Sequence, residues 1–367
     1  MLGEFDLIKR YLLAPTQGTR ADGYPLEGAP EAPSDIFSQS AEGSADRLEG
    51  ASSEHPSDPC RESGSGVALG AGDDAALLVP AAGHQMVVSV DTSVADVHFP
   101  ADAPAHAIGY RSLAVSLSDL AAMGATPRWC LLALTLPEVD EDWASSFSRG
   151  FHHLANQHRL VLVGGDVTRG ALSVSVTVMG EVPVHHALRR DGARVGDLIA
   201  VTGLLGSACA GLKRWQRGCR SIEHDALLGA YLYPTPKIAA GRTLVGYATA
   251  GMDISDGLSA DLHHICAASQ VGAELELEHV PIASETVSEL GSLSAMNAAL
   301  YGGDDYQLLV TLAPSALGEA REQLAKSGET LTVIGRVTAE PNVVRTVRGD
   351  RLQPNGWQHF HGDRAER

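Results

Sequence analysis

The chain has 367 residues, 44% apolar but only 5% aromatic, and a formal net charge of -18. That length suits two domains of roughly 100–200 residues each, with cores built on Ala, Leu and Val rather than on rings. So acidic a chain excludes a nucleic-acid backbone as partner, and it admits a phosphorylated ligand only if metal cations stand between the carboxylates and the phosphates.

From the N-terminus, Met1 to Tyr11 carries Glu4, Asp6, Lys9 and Arg10 and has no apolar stretch, so it does not read as a signal peptide. Residues 15–66, Pro15 to Gly66, hold ten acidic and three basic residues among Gly, Ser, Pro and Ala, with few large apolar ones. Such a segment buries too little surface to offset its chain entropy and reads as a disordered acidic insertion. Met86 to Val90 is then a strand. Ala103 to Met123 has helical spacing and stops at Gly124. Cys130 to Leu136 reads as a strand, Trp143 to Gln157 as a helix and Leu160 to Val163 as a strand. Leu172 to Gly180 alternates Ser with Val, as a half-buried strand does. The first unit closes near Pro183, giving domains 1–182 and 183–367.

The second unit opens at Gly196-Asp197 with a strand, Leu198 to Thr202. Helices are expected over Ser207 to Trp215, Asp225 to Leu232 and Pro236 to Tyr247. A strand near Met252, a helix from Leu258 to Ser269 and strands at Ala273–Leu277, Leu308–Leu312, Leu331–Val337 and Val343–Val347 follow. The class is α/β. The five cysteines, Cys60, Cys130, Cys209, Cys219 and Cys266, include no CxxC pair, so a reducing cytoplasm fits better than a disulfide framework or a zinc site. No apolar run is long enough to span a bilayer.

Six acidic motifs punctuate this order: Gly72-Asp73-Asp74, Ser89-Val90-Asp91-Thr92, Ser116-Leu117-Ser118-Asp119, Gly164-Gly165-Asp166, Asp253-Ile254-Ser255-Asp256-Gly257 and Gly302-Gly303-Asp304-Asp305. Several fall where a strand is expected to give way to a loop, the usual ligand edge of an α/β fold. Singly each has a plain structural explanation; Asp256 before Gly257-Leu258 reads as a helix N-cap. Together, oxygen-rich clusters suit a hard cation, Mg2+ above all, which takes a few carboxylates plus waters and substrate phosphates. The glycines would let backbone N–H groups approach phosphate oxygens. No P-loop, HExxH, protein-kinase signature, EF-hand loop or nucleophile elbow is present. The pairs His152/His153, His185/His186 and His263/His264 lack acidic or thiol partners in sequence and read as packed or exposed histidines.

The ordered set resembles the thiamine-monophosphate kinase family. It comprises Gly3-Glu4-Phe5-Asp6-Leu7-Ile8, Gly70-Ala71-Gly72-Asp73-Asp74, Asp91-Thr92 with His98-Phe99, Ser116 to Ala125, Gly164 to Gly170, Asp253 to Leu258 and Gly302 to Tyr306. The resemblance spans nearly the whole chain outside the insertion. It implies a two-domain aminoimidazole ribonucleotide synthetase-like fold, with an N-terminal domain that pairs into a β-barrel across a homodimer and a C-terminal α/β domain. It implies Asp74, Ser89, Val90, Asp91, Asp119, Asp166, Asp253 and Asp256 as Mg2+ ligands, Gly165, Asp166, Arg190 and Ser255 as ATP contacts, and His98, Asp304 and Trp357 as substrate contacts. Val90 stands where the family has Thr, so only its backbone carbonyl would serve. Asp304 stands where Glu is common, and Trp357 lies in Gly356-Trp357-Gln358-His359-Phe360.

The activity implied is ATP-dependent phosphorylation of thiamine monophosphate to thiamine diphosphate, by direct in-line transfer and with no catalytic general base. A phosphate monoester with a second pKa of about 6 is already the nucleophilic dianion near neutral pH, so the barrier is anion repulsion. Two alternatives stand beside it: a selenophosphate synthetase-like enzyme of the same superfamily, and a non-catalytic ATP-binding scaffold.

Overall fold

The computed structural model describes residues 8–13 and 65–359. The motif Gly3 to Leu7, most of the expected insertion and Cys60 lie outside the described residues. A π-helical turn, Ile8–Leu13, is followed at 65 by the body of the chain.

Two sheets organise that body. The first has four strands, β3 (His84–Val94), β4 (Thr126–Leu136), β5 (Val161–Arg169) and β6 (Ser173–Pro183), in the order β3-β6-β4-β5. Only β4 and β5 run parallel. A short antiparallel ribbon, β1 (Val67–Leu69) and β2 (Leu77–Leu78), lies beside it. In β6 the alternation is that of the sequence: Val174, Val176 and Val178 are buried while Ser173, Ser175 and Thr177 are half-buried. The valines face α1 (Ala105–Ala122) and α2 (Glu141–Gln157).

These two helices approach backbone to backbone at glycine. A Cβ on Gly109 would stand 2.1 Å from Phe147 O, and one on Gly150 would stand 1.9 Å from His106 O. Asp140 caps α2, its carboxylate accepting the N–H groups of Asp142 and Trp143 at 3.0 and 3.1 Å. Gly124, at φ +68°, ends α1, and Ala125 N–H turns back to Leu120 O at 2.9 Å.

The second sheet has six strands in the order β12-β9-β11-β7-β10-β8. They are β7 (Leu198–Thr202), β8 (Ala248–Asp253), β9 (Gly272–Leu275), β10 (Leu308–Leu312), β11 (Leu331–Thr338) and β12 (Val344–Thr346). All pairs are antiparallel except β12 with β9. Its helices are α3 (Ser207–Gln216), α4 (Ala226–Leu232), α5 (Ile238–Leu244), α6 (Leu258–Ser269), α7 (Ser284–Leu290), α8 (Ser292–Tyr301) and α9 (Leu317–Ala325). Among the described residues two large hydrophobic clusters fill the interior, and a small third one, Val67, Trp129, Val163 and Met179, joins the β1–β2 ribbon to the first sheet. One large cluster runs from beneath the first sheet into the second unit, and the other lies around α6, β8 and β9.

Helix α1 joins the two halves. It packs on β3 and β6, on α2, and on α5 and β8 of the second unit. At α5 a Cβ on Gly241 would meet Ala121 O at 1.9 Å. Burial is nearly all-round, polar residues Arg111, Ser112, Ser116 and Ser118 included.

Three expectations need correction. The acidic motifs do not mark strand ends: β3 continues through Asp91, β5 runs through Gly164-Gly165-Asp166, and Asp119 lies within α1. Only Asp253 closes its strand. Alternation explains this, because a carboxylate on the covered face of a strand needs no loop to reach a neighbouring helix. Second, Ser65 and Gly66, read as the end of the insertion, pack on the body. Trp129 Nε1 donates to Ser65 O at 2.9 Å, and Gly66, at φ +72°, fits where a Cβ would be 2.7 Å from Val79 O. Third, α7, α8 and α9 fall where no helix was expected. Among the described residues no helix is long and apolar enough to cross a membrane.

Candidate functional site

The inner face of β3 and the end of α1 bring four of the expected residues together. Ser89 and Asp91 share one face of β3, paired with buried Val178 and Val176 of β6. Ser89 Oγ donates to Asp119 Oδ2 on α1. One residue earlier on α1, Ser118 Oγ donates to Asp253 Oδ2 at 2.6 Å, across to the end of β8. The two hydroxyls thus engage two carboxylates, Asp119 and Asp253, one from each half of the chain.

This clustering is electrostatically costly. Burial, and then the nearby Asp119 charge, raise the Asp91 carboxyl to about 6, against a partial lowering by the Ser116 hydroxyl. Burial and Asp119 raise Asp253 to about 7. Burial also raises Asp119, opposed by the Ser89 hydrogen bond and the Arg190 charge. Asp91 Oδ2 is buried and accepts no hydrogen bond among the described residues. A buried carboxylate oxygen without a donor is unfavourable unless something else meets it. An oxygen-only donor set of this kind fits a hard divalent cation. Among the described residues no three acidic, imidazole or thiol groups are close enough to hold an ion by themselves.

A second group lies beside the first. Asp256 follows β8, its carboxyl raised by burial, lowered by His264, raised by Asp304 and lowered by His359 and Arg190. Asp256 is not the N-cap of α6. That position is Gly257, and the orphan N–H groups of Asp256 and Gly257 go to Asp261 Oδ2, both at 3.2 Å. Arg190 is exposed and lies near enough to lower both Asp119 and Asp256. Ser255 O accepts Asp304 N–H at 2.8 Å, so Ser255 and Asp304 are held together by backbone.

Around Asp256 stands an aromatic group. Trp357 N–H donates to Asp256 O at 3.1 Å. The His359 ring lies 5.7 Å from the Trp357 ring and 5.0 Å from that of His98. His98 Nδ1 accepts Val94 N–H at 3.0 Å, which leaves the proton of the neutral ring on Nε2. Asp304 Oδ1 pairs with Arg111 Nη2 at 2.8 Å and accepts from Tyr306 OH at 3.1 Å.

Other expected residues stand apart. Asp74 is in the exposed turn before β2, where its N–H bonds to Asp73 Oδ1 at 2.7 Å. Val90 points to the outer face of the sheet and is 61% exposed. A threonine hydroxyl there would also point outward, so its loss takes nothing from the inner carboxylates. Gly165 and Asp166 lie in β5, three strand spacings from β3, roughly 14 Å. Asp166 is exposed and accepts from Thr168 Oγ1 at 2.8 Å. Pairing with exposed Ala133 puts it on the outer face, so within one chain it does not join Asp91. Gly165 is small for the sheet's sake: a Cβ would lie 1.9 Å from Leu132 O. Gly72 is at φ +129°, and no atom of the described residues lies within 4 Å of where its Cβ would stand.

Sequence reasoning missed Ser118, Arg111, Tyr231 and His359. The three-residue step from Ser116 to Asp119 signalled one helix face; nothing local signalled Arg111. His152, read as packed, is buried with Nε2 2.7 Å from Leu12 O.

Comparison with known proteins adds a family. Residues 72–182 match the family model for the N-terminal domain of AIR synthase related proteins, and residues 194–348 match its C-terminal domain. The thiamine-monophosphate kinase of Haemophilus influenzae is 40% identical over 302 residues, covering 80% of this chain and 92% of the relative. A crystal structure of thiamine-monophosphate kinase from Stenotrophomonas maltophilia superposes with a TM-score of 0.75 at 44% identity, covering 79% and 93%. A structure of AaThiL complexed with AMPPCP and TMP superposes with a TM-score of 0.69 at 31% identity, covering 77% and 89%.

Proposed function

The chain belongs to the thiamine-monophosphate kinase family, within the AIR synthase related proteins, and from that premise we propose how its carboxylates serve the reaction. The chain is an ATP-dependent kinase that converts thiamine monophosphate to thiamine diphosphate. The observation that carries the mechanism is the juncture of Asp91, Asp119 and Asp253: Ser89 holds Asp119, Ser118 reaches across the two halves to Asp253, and each of Asp91 and Asp253 feels the Asp119 charge.

Asp91, Asp119 and Asp253, with Ser89 and Asp256 beside them, would hold Mg2+; Asp74, Asp166 and the Val90 carbonyl complete the proposed ligand set. When bound there, Mg2+ supplies the positive charge that lets two phosphorylated substrates meet. Arg190, lying beside Asp119 and Asp256, contributes a fixed charge toward ATP phosphates. Gly165, Asp166 and Ser255 complete the ATP contacts. His98 and Trp357, grouped with His359, offer ring faces and edges to the flat thiamine rings, and Asp304 fixes their orientation.

No side chain is needed as a base, because the attacking phosphate is already a dianion. The transfer is a single displacement: the acceptor's phosphate oxygen bonds to the γ-phosphorus as the bond to the β-γ bridging oxygen breaks, and ADP leaves.

The division at about 182/183 and homodimerisation are part of the same reading. Met86, Val88 and Val90 of β3 and Leu131 of β4 are 42%, 58%, 61% and 38% exposed on one sheet face. A second copy pairing there into a barrel would cover an apolar face that water otherwise meets.

The test supplies ATP, Mg2+ and either thiamine monophosphate or free thiamine, and resolves the products. Thiamine diphosphate from the monophosphate alone is the expected result. Bound ATP with no product would favour a scaffold, and product from thiamine alone would mean a different kinase.

A further inference from the structure

Arg111 is the most deeply buried cation of the site, only 4% exposed within α1, and nothing in the reaction as described uses it. Its Nη1 donates to Tyr231 O at 2.5 Å, and the guanidinium lies 4.4 Å over the Tyr231 ring. Nη2 meets Asp304 Oδ1 at 2.8 Å. Burial works against its charge, but Asp304 and the two tyrosines more than offset that, so it stays protonated. Tyr231 OH in turn donates to His98 O at 3.1 Å, which ties this knot to the aromatic group.

Asp304 is therefore fixed from three sides. Its backbone, at φ +63°, is pinned by the bond to Ser255 O, and a Cβ on Gly303 beside it would lie 2.4 Å from that oxygen. Oδ1 takes both the guanidinium and the Tyr306 hydroxyl. Oδ2 accepts no hydrogen bond among the described residues, and the side chain is 22% exposed where that of Arg111 is 5%. One oxygen is thus left for a ligand, on a carboxylate whose charge is already balanced. A cation approaching it would feel the guanidinium behind as well as the carboxylate in front, whereas a neutral N–H would gain a strong acceptor.

We propose that Arg111 is a positioning and specificity-determining residue. It makes Asp304 a charge-compensated acceptor for the exocyclic pyrimidine amine of the acceptor substrate, not the counter-ion of its thiazolium ring. This rests on the reading above that thiamine monophosphate is the acceptor.

Three acceptors separate the possibilities: thiamine monophosphate, its analogue with an oxo group in place of the amine, and one with a neutral thiophene in place of the thiazolium. The wild type should prefer the amine over the oxo compound by at least about 100-fold in kcat/KM. Asp304→Asn, which can offer an N–H to the oxo group, should shrink that preference at least tenfold and should impair the charged and neutral-ring compounds equally. Arg111→Lys keeps charge but loses the fork; it should raise KM for the acceptor and erode the preference while leaving KM for ATP unchanged. An Asp304→Asn enzyme with its amine preference intact, impaired only on the charged ring, would overturn the proposal. This holds even where Arg111→Lys does not fold. A wild type inactive on thiamine monophosphate would instead sink the functional reading itself.

Discussion

At the scale of single residues the site is a set of carboxylates held against their preference. Asp119 stands between Ser89 and Arg190 and raises both Asp91 and Asp253. Asp119→Asn keeps the shape and removes the charge. We predict a fall in turnover on the order of 100-fold, partly restored by raised Mg2+. Activity unchanged at ordinary Mg2+ would take Asp119 out of the set. Asp261, 1% exposed, gives a cleaner electrostatic test, since it caps α6 from within and is raised to about 8 by burial and then by Asp253 and Asp256. Its folded pKa lies above the unfolded value of about 4, so the folded state binds more protons between those values, and stability falls as pH rises through them. Asp261→Asn removes that slope. The variant's stability relative to wild type should climb from pH 5 to pH 8 in urea melts, and a constant difference would contradict the assignment.

At the scale of elements, α1 carries the account, because it touches both sheets and bears Arg111, Ser118 and Asp119. Its seat depends on two glycines, Gly109 and, on α2, Gly150, whose absent Cβ atoms let the backbones meet. Gly150→Ala should lower unfolding free energy by about 1–3 kcal/mol, since neither backbone can yield. A loss no larger than that of an exposed-site substitution would mean the helices can separate freely.

How much was legible in sequence follows the same line. The Ser–Val alternation of β6 and the Gly124 stop of α1 were readable because each is a local rule with one dominant cause. Helices α7 and α8 were not, since Ser- and Ala-rich stretches such as Ser292–Tyr301 show little apolar periodicity and are fixed by tertiary packing. The aspartate motifs were legible as sequence features. Their division was not: strand alternation puts Asp91 inside and Asp166 outside, and that required knowing that β5 runs through Gly164-Gly165-Asp166. Arg111 left no local trace, because a buried arginine is justified only by partners far off in sequence, Tyr231 and Asp304.

At the scale of the whole molecule, the proposed dimer would cover the outer sheet face and the proposed Mg2+ would offset the acidic charge. Val88→Asp should convert the proposed dimer to a monomer in light scattering, and a wild type already monomeric at micromolar concentration would remove the barrel. The central claim is that two phosphorylated substrates meet at the junction of Asp91, Asp119 and Asp253, and that the phosphoryl group passes directly between them. The stereochemical course measures this most directly. ATP made chiral at its γ-phosphorothioate, turned over with thiamine monophosphate, should give thiamine diphosphate analogue with inverted configuration at phosphorus. Retention would mean two displacements through a phosphorylated side chain, and would contradict the account.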